Sequence, residues 1–98
     1  MKIKVKITTG LNSFTENTIS LYPNPTSDKL IIDNGTYTLM YKYTVHIYDP
    51  TGKLVYTRLV NTRQIEVSLR DLGESGTYLF HLKDDKNTTI VTRKIVLN

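Results

Sequence analysis

The stretch Thr44 to Tyr56, TVHIYDPTGKLVY, decides the fold of this 98-residue chain. Val45 and Ile47 alternate with residues of the opposite face, which is the period of a half-buried strand. The segment Asp49–Gly52 then places Asp, Pro and Gly at the first, second and fourth positions that favour a type I turn. The residues after Gly52 run back as the partner strand. The stretch therefore predicts a β-hairpin, and similar units fill the rest of the chain.

Length and composition exclude several classes of protein. Ninety-eight residues allow one domain, whose small core leaves little room for an internal active site. The absence of cysteine excludes disulfides, thiolate metal sites and a thiol nucleophile. No apolar run approaches the ~20 residues of a membrane span, and the N-terminal residues lack the apolar centre of a signal peptide. We expect neither a cofactor nor a catalytic site.

The net charge of +4 comes mainly from the N-terminus. Lys2, Lys4 and Lys6 lie in the first ten residues, whereas residues 11–98 carry ten basic and nine acidic side chains. A nucleic-acid module concentrates Lys and Arg on one face of its folded part. The distribution of charge therefore argues against nucleic-acid binding.

The chain divides near residue 19. Residues 2–7 alternate lysine with aliphatic residues, as an edge strand or the end of a preceding domain would. Residues 8–18 are polar, contain a glycine and keep no period, which is typical of a linker. We therefore predict an N-terminal arm and linker over residues 1–18 and one folded domain over residues 19–98.

The folded part predicts an all-β fold, an immunoglobulin-like antiparallel β-sandwich of about seven strands. Tyr37–Asp49 is interpreted as one long strand that bends midway, and Glu74–Tyr78 resembles a tyrosine corner. The buried face of the last strand, Thr88 to about Leu97, is left open. The predicted core consists of Leu21, Leu30, Ile32, Val45, Ile47, Ile65, Val67, Tyr78, Phe80 and Leu82.

Four segments, in this order and spacing, resemble the type A C-terminal sorting domain of the type IX (Por) secretion system of Bacteroidetes. The resemblance covers residues 19–98. The segments are ISLYPNPTSDKLII (19–32), TVHIYDPTGKLVY (44–56), LGESGTYLFHL (72–82) and TTIVTRKIVLN (88–98). The positions that match the family's motifs, and that the resemblance marks as the sorting signal, are Pro23, Asn24, Pro25, Gly52, Gly76, Tyr78, Arg93, Lys94, Ile95, Val96 and Leu97.

The resemblance implies a non-catalytic secretion signal at the end of an exported protein. Its implied partners are the outer-membrane translocon, a shuttle protein, a sortase that removes the domain, and a covalently linked upstream cargo. The implied location is the cell surface or the medium, reached through the periplasm and outer membrane. We expect cleavage in the linker of residues 8–18, because unstructured backbone enters a protease site most readily. The C-terminal strand is a candidate for β-augmentation by a partner, and an edge-strand dimer is left open.

Two groups of side chains are of the types that metal sites and carbohydrate-binding sites use. His46 and His81 are 35 positions apart, lie opposite the apolar faces of their strands, and are interpreted as surface histidines, not metal ligands. Tyr37, Tyr41 and Tyr43 share the predicted face of Val45 and Ile47, which favours the core. If the three rings are exposed instead, the alternative is a carbohydrate-binding or adhesive module.

Overall fold

The computed structural model of the chain describes residues 18–98. The predicted arm strand at residues 2–7 and the proposed cleavage region before residue 18 lie outside this part. Seven strands form within it, together with 3-10 turns at Tyr37–Leu39 and Leu69–Asp71. The strands are β1 (Ile19–Tyr22), β2 (Lys29–Asn34), β3 (Thr44–Tyr48), β4 (Leu54–Leu59), β5 (Gln64–Ser68), β6 (Gly76–Lys83) and β7 (Thr89–Leu97).

The strands pair in two antiparallel sheets that face each other. One sheet has the order β1-β2-β5 and the other has the order β4-β3-β6-β7. In the smaller sheet Ile32 pairs with both Leu21 and Ile65, and in the larger one Ile47 pairs with Phe80. This division of the strands confirms the predicted immunoglobulin-like sandwich. Between residues 18 and 98 no helix is long enough to cross a bilayer.

The core lies between the two sheets and contains the predicted side chains. All of them are buried except Leu21, which is half-buried and packs against the core. The open question about β7 is settled, since its odd-numbered aliphatic residues point inward and Val96 points outward. The buried apolar residues that the sequence analysis did not place in the core are Ile19, Met40, Val60, Leu69, Val91, Ile95 and Leu97.

The long strand predicted over Tyr37–Asp49 does not form. Its first part is a 3-10 turn, and only Thr44–Tyr48 is a strand. Met40 is buried, its amide donates to the Tyr37 carbonyl (2.9 Å), and Lys42 has a positive φ of 58°. Burial of the Met40 side chain in the core is therefore favoured over a continuous strand through this segment.

The hairpin between β3 and β4 has the predicted type I turn. The Gly52 amide donates to the Asp49 carbonyl (2.9 Å), and the Asp49 amide donates to the Lys53 carbonyl (2.8 Å). Oδ1 of Asp49 also accepts from the Thr51 amide, the Thr51 hydroxyl and the Lys53 amide. The hydrogen bond from the Thr51 hydroxyl is the main cause that lowers the pKa of Asp49. Gly52 has a φ of +91°, a left-handed conformation that lets the chain leave the turn and pair again as a strand.

We predict that Gly52→Ala lowers the free energy of unfolding by about 1 kcal/mol, because a Cβ disfavours the left-handed region. A Cβ at this position would touch nothing within 4 Å, so the loss measures backbone conformation alone. Urea unfolding of both proteins checks it. Lys53→Ala, an exposed neighbour outside that region, is the control and changes the free energy by less than about 0.5 kcal/mol. Equal effects of the two substitutions would contradict the assignment.

Candidate functional site

The Pro23–Pro25 motif lies along the outer edge of β7. Asn24 donates from Nδ2 to the Lys94 carbonyl (2.8 Å), and its Oδ1 accepts from the Val96 amide (3.0 Å). Each proline lacks an N–H, so neither can donate to a strand. The Asn24 side chain carries both a donor and an acceptor and therefore pairs with the strand edge in place of backbone.

Thr26 continues this contact to the end of the chain. Its amide donates to the Val96 carbonyl (2.9 Å), and its carbonyl accepts from the Asn98 amide (2.9 Å). We call residues 23–26 the strap, and the strap together with the edge at residues 94–98 the clasp. The strap already occupies the edge of β7 from Lys94 onward. A partner strand that uses this edge therefore has to displace the strap.

Arg70 joins the clasp to the loop before β6. Its Nε donates to the Ser27 carbonyl (2.9 Å), one terminal nitrogen donates to the Ser75 hydroxyl (3.4 Å), and the other donates to the Asn98 carbonyl. One guanidinium thus connects three segments that are distant in sequence. Arg70 is not among the residues predicted from the sequence, because an arginine in a polar turn gives no signal of what it contacts.

Gly76, the first residue of β6, permits close contact with the β3–β4 turn. A Cβ at this position would lie 2.7 Å from Cγ of Pro50 and 3.3 Å from its Cβ. The φ of Gly76 is also positive, at +150°. The turn that contains Gly52 therefore packs on the loop before β6, which brings two of the matched motifs together.

Tyr78 forms the predicted tyrosine corner. Its hydroxyl donates to the Glu74 carbonyl (2.7 Å), and its side chain is fully buried. A Cβ on Gly73 would lie 2.6 Å from that hydroxyl, so glycine is required there as well. Burial raises the pKa of Tyr78, and the nearby carboxylates of Asp49 and Glu74 raise it further. The hydroxyl therefore stays protonated and acts as a structural donor.

A pocket of about 350 Å³ lies where the turn meets the corner. It is lined by Asp49, Pro50, Thr51, Gly73, Glu74, Ser75 and Tyr78. No set of three or more His, Asp or Glu side chains suited to hold a metal ion occurs within residues 18–98. The pocket is defined by the packing of the turn on the loop before β6 and by hydrogen bonds such as that from Tyr78 to the Glu74 carbonyl.

The matched motif residues divide into exposed and buried groups. Tyr78, Ile95 and Leu97 are at most 2% exposed, so their side chains belong to the core of the folded domain. Arg93 and Gly76 are half-buried. The exposed members are Pro23, Asn24, Pro25, Gly52, Lys94 and Val96.

His46 and His81 lie on the outer side of their sheet, opposite the buried core residues of their strands, as predicted, but they are direct cross-strand neighbours. Both are half-buried. His46 shares a hydrogen bond with the Thr44 hydroxyl (2.9 Å), and the ring of His81 lies 4.9 Å from that of Tyr48. Burial is the main cause that lowers the pKa of each histidine, and the charge of Lys83 lowers it further. The sequence pattern did not indicate that the two histidines are neighbours, because they are 35 positions apart in the chain.

The three tyrosines do not form an aromatic platform. Tyr37 and Tyr43 are half-buried against the core, and only Tyr41 is well exposed, at 70%. Lys42 lies over the Tyr41 ring at 5.3 Å. The predicted common face of these rings is wrong, because the backbone turns between them. This arrangement gives no support to the carbohydrate-binding alternative.

Comparisons with known proteins are consistent with this geometry. The family model Por_Secre_tail, described as a secretion system C-terminal sorting domain, matches residues 20–98. A similar solved structure is that of PorZ, an essential bacterial surface component of the type-IX secretion system of Porphyromonas gingivalis. It has a TM-score of 0.65 and 21% identity, which shows a shared fold; the match covers 89% of this chain and 12% of that one. A search among curated proteins gives no match.

We predict that Asn24→Ala lowers the free energy of unfolding by about 1–2 kcal/mol, because the strap loses two hydrogen bonds to β7. Urea unfolding at neutral pH measures it. Asn61→Ala is the matched control, since Asn61 is exposed in the β4–β5 loop and forms no side-chain hydrogen bond within residues 18–98. An Asn24 variant as stable as the Asn61 variant would show that the two hydrogen bonds of the Asn24 side chain contribute nothing to stability.

We predict that Gly76→Ala lowers the free energy of unfolding by about 1–3 kcal/mol through overlap with Pro50. In a Pro50→Ala background the same substitution costs less, because the clashing Cγ is absent. Urea unfolding of the four proteins gives the coupling energy of this double-mutant cycle. Additive effects would contradict the contact and leave backbone conformation as the whole reason for glycine.

Proposed function

The chain belongs to the family of type IX secretion C-terminal sorting domains, and from this we propose that it is a non-catalytic export signal for a protein attached upstream. The observation that carries the proposal is the family match over residues 20–98, nearly the whole described part of the chain. We further propose the outer-membrane translocon, a shuttle protein and a sortase as its partners. Export to the cell surface or medium, with removal of the domain by cleavage between residues 8 and 18, completes the proposal.

The geometry of the motifs supports a signal that is read as a folded surface. An export signal has to present a stable shape to its receptor and has no need of a reacting group. Gly76 allows close packing of Pro50, and Tyr78 forms the tyrosine corner. Ile95 and Leu97 belong to the core. We assign contact with the machinery to exposed motif residues of the clasp, namely Pro23, Asn24, Pro25, Lys94 and Val96.

An export assay tests the proposal. Residues 11–98 are fused behind a leader-bearing fluorescent reporter in a bacterium with a type IX system. We expect reporter at the surface or in the medium, and retention in the periplasm in a strain that lacks the translocon. Retention in both strains, while a known sorting domain exports the same reporter, would contradict the proposed function.

A core substitution separates a folded signal from a linear one. Leu82→Asp introduces a charge at a fully buried position and unfolds the domain while leaving every matched motif residue unchanged. We expect this fusion to stay in the periplasm. Truncation of residues 93–98 is less informative, since it removes the core side chains Ile95 and Leu97 along with the exposed ones. Normal export of the Leu82→Asp fusion would show that a linear segment is read.

A further inference from the structure

The outer face of the β1-β2-β5 sheet is mostly polar, and its apolar side chains are the exposed Tyr22 and the half-buried Ile31. Both ion pairs found within residues 18–98 involve this sheet: Lys29 with Glu66 and Arg63 with Asp33, each at 3.2 Å. Asp33 also accepts from Nε2 of Gln64 (3.0 Å). Charges of both signs alternate and pair on this face. It has the character of a surface that remains in water.

The outer face of the β4-β3-β6-β7 sheet, which we call the apolar face, has more exposed apolar side chains than the first sheet, and its charges are of one sign. It carries four of the seven large apolar side chains that are exposed within residues 18–98, namely Leu54, Leu59, Leu79 and Val96. Between them lie Tyr48 and the half-buried pair His46 and His81. The charged residues that the four strands add to this face are Lys83 and Lys94, and none of its residues is acidic.

Exposed apolar side chains gathered on one face of a small domain favour an interaction site, whereas ones scattered singly do not. The apolar face also adjoins the clasp, because Lys94 and Val96 point outward on it while their backbone groups hold Asn24. A partner that contacts the exposed clasp is therefore in position to cover the face as well. Protein interfaces have the same composition, with an apolar and aromatic centre and a polar rim.

Building on the proposed function, we propose that the apolar face docks a protein of the export machinery whose own surface is apolar at its centre and acidic opposite Lys83 and Lys94. Charge argues against a second copy of the chain. Two such faces would bring lysines to the contact with no carboxylate from either face to pair them. The occupant thus differs from the sorting domain in the sign of its charge.

The export assay above tests the docking with matched variants. Leu79→Ser/Lys94→Glu alters the apolar face, whereas Ile31→Ser/Lys86→Glu makes the same changes on the polar sheet and in the β6–β7 turn. We expect the first to reduce exported reporter about tenfold, as loss of an interface anchor does, and the second to change it less than about twofold. Lys94→Arg keeps the charge and retains export. Urea unfolding confirms that each variant is folded.

A photo-crosslinking residue at position 59 identifies what covers the face during export. We expect an adduct with a different protein, lost in the Leu79→Ser/Lys94→Glu background. An adduct of two copies of the fusion, or equal export of the two double variants, would overturn the docking proposal while leaving the export function intact. If the parent fusion itself is not exported, the proposed function fails first.

Discussion

The backbone N–H and C=O groups at the edge of a β-sheet need partners, and in this domain the chain supplies them to its last strand. The strap meets the end of β7 through the side chain of Asn24 and the backbone of Thr26. Proline alone could not do this, because it has no N–H to donate. The clasp thereby protects the end of β7 against uncontrolled pairing and joins the two ends of the domain, and Arg70 donates hydrogen bonds to the carbonyls of Ser27 and Asn98.

The motif positions of the sorting family gain separate physical roles from this arrangement. Gly76 has no Cβ and so allows Pro50 to pack closely against it, and the hydroxyl of Tyr78 donates to the Glu74 carbonyl in the adjoining loop. These residues shape the domain from within. Lys94 and Val96 face solvent and are available to a receptor. The positions that match the family's motifs therefore include both exposed side chains and buried side chains that hold the exposed ones in place.

Local chemistry allowed the sequence to predict most strands, the Asp49–Gly52 turn and the tyrosine corner, since each depends on residues close together in the chain. The sandwich followed from the number and spacing of these strands and turns. The failures all involve contacts between distant segments. Nothing in the alternation of Tyr37–Asp49 shows that Met40 enters the core and bends the backbone. The pairing of His46 with His81 and the placement of Asn24 on β7 depend likewise on sheet register, which pattern alone does not fix.

Amide hydrogen exchange on the intact domain tests whether the strap and the last strand form one unit. Val96 and Asn98 donate their amides to the strap, whereas Thr92 lies on the same edge before the strap begins. We expect the amides of Val96 and Asn98 to exchange at least about 100-fold more slowly than that of Thr92, with protection that approaches that of the core. Exchange as fast as that of Thr92 would show that the strap is detached in solution and that the clasp does not form.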